Sequence, residues 1–232
     1  MGASKYYDTE IDYLRKRSNG YTGWSTKENK CHVPSGVYNC LQLIGAAPIC
    51  KVLDLGCGGG ENAIVFSKMG YDVLGVDISK TAIEMARINA LKKNTQKDKI
   101  QFKVLDIVTN NRIYKQNYDL YYIDSVLHFL TDKNDRFKLY ENINNGISQI
   151  KNIYLSALTR SNLYRQSFLS LFEENEEGHL ISHDSKRLLF DEQELLKELN
   201  LSGFDVVSYQ SISQYHENEY MIFMNICGKT VG

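Results

Sequence analysis

Residues 51 to 55 form an apolar run without alternation, and Tyr71 to Asp77 form a second. Such runs are buried on both faces, as in the central strands of a parallel sheet. Helices are predicted behind them at Glu61 to Met69 and at Lys80 to Leu91. In the second, Ile83, Ala86 and Ala90 share a face and Ser79 stands at the N-cap. The pattern continues with strands at Ile100 to Leu105, Tyr118 to Ile123 and Ile150 to Leu158, the first two followed by Asp106 and Asp124. Helices follow at Asp132 to Ile147, Ser161 to Phe172 and about Asp191 to Leu199, and strands near Phe204 to Tyr209 and Tyr220 to Cys227. The acidic stretch Glu173 to Gly178 reads as an exposed loop. Strand and helix alternate, which predicts an α/β, doubly wound sheet with right-handed crossovers. Residues 1–45 carry Tyr6, Tyr7, Tyr13, Tyr21 and Trp24 among many charges, with a break at Ser18-Asn19-Gly20. They are predicted as a helical cap followed by a loop, ahead of a main domain at 46–232.

Composition narrows the picture. The 232 residues suffice for one α/β core. Lys plus Arg number 27 against 28 for Asp plus Glu, so no overall field favours nucleic acid or an anionic membrane. Five scattered cysteines, without a Cys-x-x-Cys pair or a signal peptide, point to a reducing cytoplasm. No apolar run reaches a membrane span, and Tyr6 breaks the myristoylation pattern at the start. The histidines predict no metal site: His179 and His183 are four apart, but a glycine precedes them and no Glu fills the His-Glu-x-x-His position.

Candidate chemistry lies where the first strand meets Gly56-Cys57-Gly58-Gly59-Gly60. Glu61 stands where a dinucleotide fingerprint needs its third glycine, and Gly-Glu-Asn stands where a phosphate loop needs Gly-Lys-Ser/Thr. What remains is Asp54-x-Gly56-x-Gly58-x-Gly60, with Asp77 ending the next strand. A carboxylate there suits a ribose diol, because it only accepts hydrogen bonds while the diol donates two.

These motifs resemble class I S-adenosylmethionine-dependent methyltransferases, over roughly Lys51 to Thr159. The resemblance implies a Rossmann-like seven-stranded sheet, mostly parallel with one antiparallel strand near the edge. It implies that S-adenosylmethionine lies on Asp54, Gly56, Cys57 and Gly58, with both ribose hydroxyls on Asp77. Adenine would lie between Ile78 and Asp106 with Ile107, and Asp124 and Ser125 would close the methyl end. S-adenosylhomocysteine would be the product.

The segment Asp124 to Leu130 follows the fourth strand, where this family surrounds the reactive methyl group. It has no Asn/Asp-Pro-Pro-aromatic motif and no Pro-Cys nucleophile, which argues against a nucleic-acid substrate. The fifth strand ends without the Asp-Asn pair of metal-assisted catechol methylation, so a metal-independent reaction is expected. Candidate bases for a hydroxyl or thiol acceptor are His128, Asp124 and Tyr7, and His128 has an alternative reading as a residue that shapes the loop. Tyr6, Tyr7, Tyr21, Trp24 and His128 are expected to line or close the acceptor pocket. The tyrosines would accommodate a planar ring or hold an ammonium. The layout resembles the branch with the tellurite-resistance and thiopurine methyltransferases. The expected activity is methyl transfer to nitrogen or oxygen, less so sulfur, of a small-molecule substrate. The alternatives are a protein or peptide methyltransferase and a binding module without turnover.

Overall fold

The computed structural model describes residues 7–24, 35–45, 49–95, 98–146, 152–160, 169–170, 172–174, 180–182, 187–216 and 219–230. Its described elements run α1 (Tyr7–Ser18), α2 (Ser35–Ile44), β1 (Lys51–Leu55), α3 (Glu61–Lys68), β2 (Asp72–Asp77), α4 (Lys80–Lys92), β3 (Ile100–Val104), β4 (Leu120–Asp124), α5 (Lys133–Asn144) and β5 (Asn152–Leu158). Then come β6 (Phe172–Glu174), β7 (Leu180–Ser182), β8 (Leu188–Leu189), α6 (Glu192–Leu201), β9 (Phe204–His216) and β10 (Glu219–Thr230). None of the described helices is long and apolar enough to cross a membrane.

Five strands form a parallel sheet in the order β3-β2-β1-β4-β5, with Val52 beside both Val73 and Leu120. The chain runs outward from β1 through β2 to β3, then returns to the other side of β1 as β4. That reversal opens a crevice at the carboxyl ends of β1 and β4, where ligands bind in open α/β sheets. Beyond β5 the sheet continues through β10 to β9, both joints antiparallel.

The unbroken apolar runs supply two cores, one on each face of the sheet. Val52, Leu120, Tyr122 and Tyr154 pack on the α2 and α3 side. Leu53, Leu55, Tyr121, Ile123, Ile153 and Leu155 pack with Leu139, Ile143 and Leu195 on the α5 and α6 side. Three helices begin at a capping side chain. Ser79 accepts the Ala82 N–H, Asp132 accepts that of Asn134, and Asp191 accepts those of Gln193 and Glu194.

The structure corrects four expectations. α2 replaces the second half of the expected loop, because Val37, Cys40, Leu41 and Ile44 recur at helical spacing and pack against the first core. β4 starts at Leu120, since the Asp119 carboxylate turns aside to accept the Cys50 and Lys51 N–H groups, each at 2.9 Å. Phe172 opens strand β6 rather than ending a helix, and residues 161–168 lie outside the described residues. Glu173 and Glu174, expected in a loop, pair with β7 in a small antiparallel sheet of β6, β7 and β8. The rest of that acidic stretch, 175–178, also lies outside the described residues.

Candidate functional site

At the end of β1 the chain turns up into the glycine loop. Gly56 and Cys57 donate their N–H groups to the Val76 carbonyl at 2.8 and 2.9 Å, which ties the loop to β2. Gly58 has a φ of +53°, and a Cβ on it would lie 2.6 Å from the Tyr13 hydroxyl. Only glycine fits there. The Gly58 N–H donates to Asp77 at 2.9 Å, and the Ser79 N–H donates to its other oxygen at 2.9 Å. Burial pushes the Asp77 pKa up to about 6, against the opposing pull of those two N–H groups.

Asp54 lies at the floor, 2% exposed, and its Oδ2 has no hydrogen-bond partner. Burial, then the carboxylates of Asp124, Asp77 and Glu61, hold its pKa well above the usual carboxylate range, while the Ala63 N–H partly offsets them. Cys57 is buried beside it, and burial with the nearby Asp54 raises its thiol pKa as well. A cluster of acids round a glycine cradle, with one orphaned buried oxygen, is fitted to a cationic ligand with donor groups.

Helix α1 closes this end. Glu10 accepts hydrogen bonds from the Ser79 hydroxyl and, at 2.6 Å, from the Thr81 hydroxyl. Burial raises the Glu10 pKa, but these hydroxyls and the Thr81 and Lys80 N–H groups outweigh it and leave the pKa lowered. One turn on, Tyr13 is buried against Ala82 and Met85, and Arg17 pairs with Glu84 at 3.0 Å. Residues 21–24 follow, and Asn89 donates both to the Thr22 carbonyl at 2.7 Å and to that of Gly59 at 2.9 Å.

Asp106 accepts from the Val108 N–H at 2.8 Å, the Thr109 N–H at 3.4 Å and the Thr109 hydroxyl at 2.9 Å, so it caps the turn after β3. Ile107 is buried in the core beneath it, and Ile78 is half-buried.

At the end of β4, Asp124 is held by four groups. Tyr122 and Asn62 donate to Oδ2, each at 3.0 Å, and the hydroxyls of Ser156 and Ser125 donate to Oδ1. Gly36 at the start of α2 lies so close that a Cβ there would come 2.3 Å from Asp124 Oδ2. Ser125 takes a φ of +59° and donates its N–H to Ser156 at 2.8 Å. His128 and Phe129 follow in a short 3-10 turn, their rings 4.5 Å apart. His128 is 4% exposed; burial first, and then the Arg187 guanidinium, push its pKa down to about 3. It is therefore a neutral imidazole and a weak base.

Trp24 joins the two ends. Its ring meets Tyr13 at 5.3 Å and Phe129 at 5.5 Å, both edge-on. The protein's own cations lie over these rings: Lys16 over Trp24 at 4.6 Å and Tyr21 at 5.1 Å, and Arg187 over Phe129 at 5.4 Å. Tyr6 lies outside the described residues; Tyr7 opens α1, and its side chain is outside them too. Glu10, Asn62, Asn89, Ser156 and Arg187 escaped sequence reasoning. Glu10, Tyr13 and Arg17 recur at helical spacing on α1, and that stripe was the available signal.

A model described as a methyltransferase domain matches residues 47–203, well over half of the chain. The chain belongs to the methyltransferase-domain family. Among the curated relatives of this chain, a probable S-adenosyl-L-methionine-dependent methyltransferase TehB of Haemophilus influenzae is 33% identical over 107 residues, covering 46% of this chain and 35% of the relative. Matches to ubiquinone biosynthesis O-methyltransferases of Aliivibrio and Vibrio species span 22% to 34% of those proteins, so the chain matches about a third or less of its curated relatives. In fold, the chain is similar to a SAM-dependent methyltransferase of Methanosarcina mazei, with a TM-score of 0.70 and 20% identity over 88% of this chain and 100% of that one. It is also similar to the 1,6-didemethyltoxoflavin-N1-methyltransferase of Burkholderia thailandensis, crystallised with 1,6-didemethyltoxoflavin and S-adenosylhomocysteine. That likeness has a TM-score of 0.67 and 15% identity over all of this chain and 92% of the other.

Proposed function

We propose that this protein transfers a methyl group from S-adenosylmethionine to a nitrogen or oxygen of a small molecule, without a metal. The observation that carries the reading is the acid-lined glycine cradle, with the orphaned Asp54 oxygen at its floor and the Asp77 carboxylate at its wall. The supporting fold is the seven-stranded class I sheet, with β10 as its antiparallel strand and residues 1–45 as the cap of a domain at 46–232.

In this reading Asp54 and the loop from Gly56 to Gly58 hold the cationic amino-acid end. Asp77 spends two of its roughly four lone-pair sites on Gly58 and Ser79, which leaves about two for a ribose diol. Ile78 and Ile107 flank adenine, and Asp106, with three bonds to its own turn, keeps capacity for an amine. The cofactor supplies an activated methyl on a sulfonium, already an excellent leaving group. What the protein must add is alignment and dryness, and positioning alone is worth about 7 to 11 kcal/mol. α1, Tyr13 and Trp24 exclude water, Tyr21 extends that cap, and Ser125 with Asp124 fixes the floor under the methyl end. His128 shapes the acceptor wall as a neutral ring.

Calorimetric titration with S-adenosylhomocysteine, beside Asp77→Ala, tests the cofactor. Micromolar binding that weakens about a hundredfold in the variant is expected, since hydrogen bonds to charged groups contribute about 1.5 to 3 kcal/mol each. No binding by the parent protein would overturn the reading.

A further inference from the structure

The acceptor end of the site carries a cation, and the described groups around it are poorly suited to taking a proton. We infer that the methyl acceptor is a planar molecule bearing an oxyanion, and that Arg187 is the residue that selects it. This rests on the methyltransferase reading and narrows its acceptor.

Arg187 immediately precedes β8, which the chain brings alongside the end of β5: Phe190 donates to the Leu158 carbonyl at 3.0 Å, and Arg160 donates to that of Phe190 at 2.8 Å. Its guanidinium therefore stands at the carboxyl edge of the sheet, 5.4 Å from the Phe129 ring and near enough to act on His128. Phe129 in turn meets Trp24, so the cation lies at one end of an aromatic wall that continues to Tyr13. A guanidinium has five N–H donors in a planar fork, enough to serve a protein partner and a carboxylate or phenolate together.

The neighbouring groups point the same way. His128 is buried and neutral. The Asp124 oxygens are already taken by Tyr122, Asn62, Ser156 and Ser125. Tyr13 and Tyr122 are buried with pKa values raised well above the ordinary phenol, so neither supplies a phenolate base. Among these described residues a neutral hydroxyl finds no good proton acceptor, whereas an oxyanion beside Arg187 has no proton to lose. Its electron pair forms the O–CH3 bond as the S–CH3 bond breaks and that pair returns to sulfur, which turns an anion and a sulfonium into a neutral methylated oxygen and a thioether. A protonated amine beside the same guanidinium would instead meet a like charge.

The test uses the full chain loaded with S-adenosylhomocysteine, titrated by calorimetry with 4-hydroxycinnamate and 2,5-dihydroxybenzoate and with the uncharged methyl ester of each. The acids are expected to bind at least tenfold tighter than their esters. Arg187→Lys should keep part of that preference, and Arg187→Met should erase it while S-adenosylhomocysteine affinity stays within twofold. Equal binding of acid and ester, no binding of either acid to a protein that holds S-adenosylhomocysteine, or a preference that survives Arg187→Met would each overturn the proposal. So would Arg187→Met losing S-adenosylhomocysteine as well, since Arg187 would then be a structural residue. Failure of the parent protein to bind S-adenosylhomocysteine would instead remove the cofactor reading and this inference with it.

Discussion

The two ends of the crevice are built on opposite electrostatic plans. Where β1 and β2 end, Asp54, Asp77, Glu61 and Glu10 gather round a bare backbone loop, and burial, helped by the neighbouring acids, raises the pKa values of Asp54 and Asp77. At the end of β4 the Asp124 carboxylate is covered by four donors, and Arg187, just before β8, lies over an aromatic wall. The first end is left short of positive charge and hydrogen-bond donors, which a ligand can bring. The second has its acid already satisfied and a cation facing the rings. In the proposed function, cofactor and acceptor would thus be kept apart by charge, so that neither competes well for the other's place.

The acceptor end depends on a support far from the crevice, and breaking that support should give the largest effect. Arg136 is fully buried, donates to both oxygens of Glu198 at 2.8 and 2.9 Å, and holds the Leu130 carbonyl at 2.9 Å. Arg136→Met leaves Glu198 without its cation, and urea denaturation should show a loss of about 3 to 5 kcal/mol. The cofactor end rests on no such pair among the described residues, so its affinity for S-adenosylhomocysteine should survive while the variant remains folded.

Acid should separate the ends next. His128 has a folded pKa near 3 against an unfolded value of about 6.5, so the unfolded chain takes up a proton that the folded chain refuses. The stability it contributes is present above about pH 6.5 and is lost as pH falls towards 3. By pH 4 that amounts to roughly 3 kcal/mol, and His128→Gln should lose less over the same range in thermal or urea melts. Asp77 has the opposite sign for stability, because its folded pKa of about 6 lies above the usual carboxylate value. Its stabilising share is present at low pH and lost as pH rises through 6.

For the ligand the ionised form of Asp77 matters, since only a carboxylate accepts from both hydroxyls. S-adenosylhomocysteine affinity should therefore weaken about tenfold per pH unit below 6, read by calorimetry. Asp77→Asn should flatten that dependence. The smallest expected effect is at the lid: Glu10→Gln weakens the bonds to Ser79 and Thr81 and should cost about 1 kcal/mol. That would appear as faster release of S-adenosylhomocysteine in stopped flow, with the acceptor end unchanged.

The same contrast explains what was legible in the sequence. Strand β1 and the loop after it are consecutive residues whose burial and turn chemistry are local, so Asp54, Gly58 and Asp77 could be placed by pattern alone. The methyltransferase family and the parallel sheet followed from them. Lid and acceptor wall are assembled from distant segments. Glu10 meets Ser79 across 69 residues, and Asn62 meets Asp124 across 62. Nothing near His128 in the chain announces that Arg187 will stand beside it. The expected helix from Ser161 to Phe172 fails at its end for a related reason, since Phe172 pairs with Ser182, a partner that periodicity cannot see. Asp106 shows a different limit. An acid after a strand can serve a ligand and cap a turn, and the three bonds that Asp106 makes to its own turn are what the sequence did not announce.

Trp24 is the only tryptophan in the chain, and it touches Tyr13 on the lid, Phe129 on the acceptor wall and the ammonium of Lys16. Its emission is consequently an unlabelled optical gauge of the packing between α1 and the turn after β4. A change in the packing of α1 or in the distance of that ammonium alters the field on a single indole. Ligand binding that disturbs this packing is readable from intrinsic fluorescence before any acceptor has been identified.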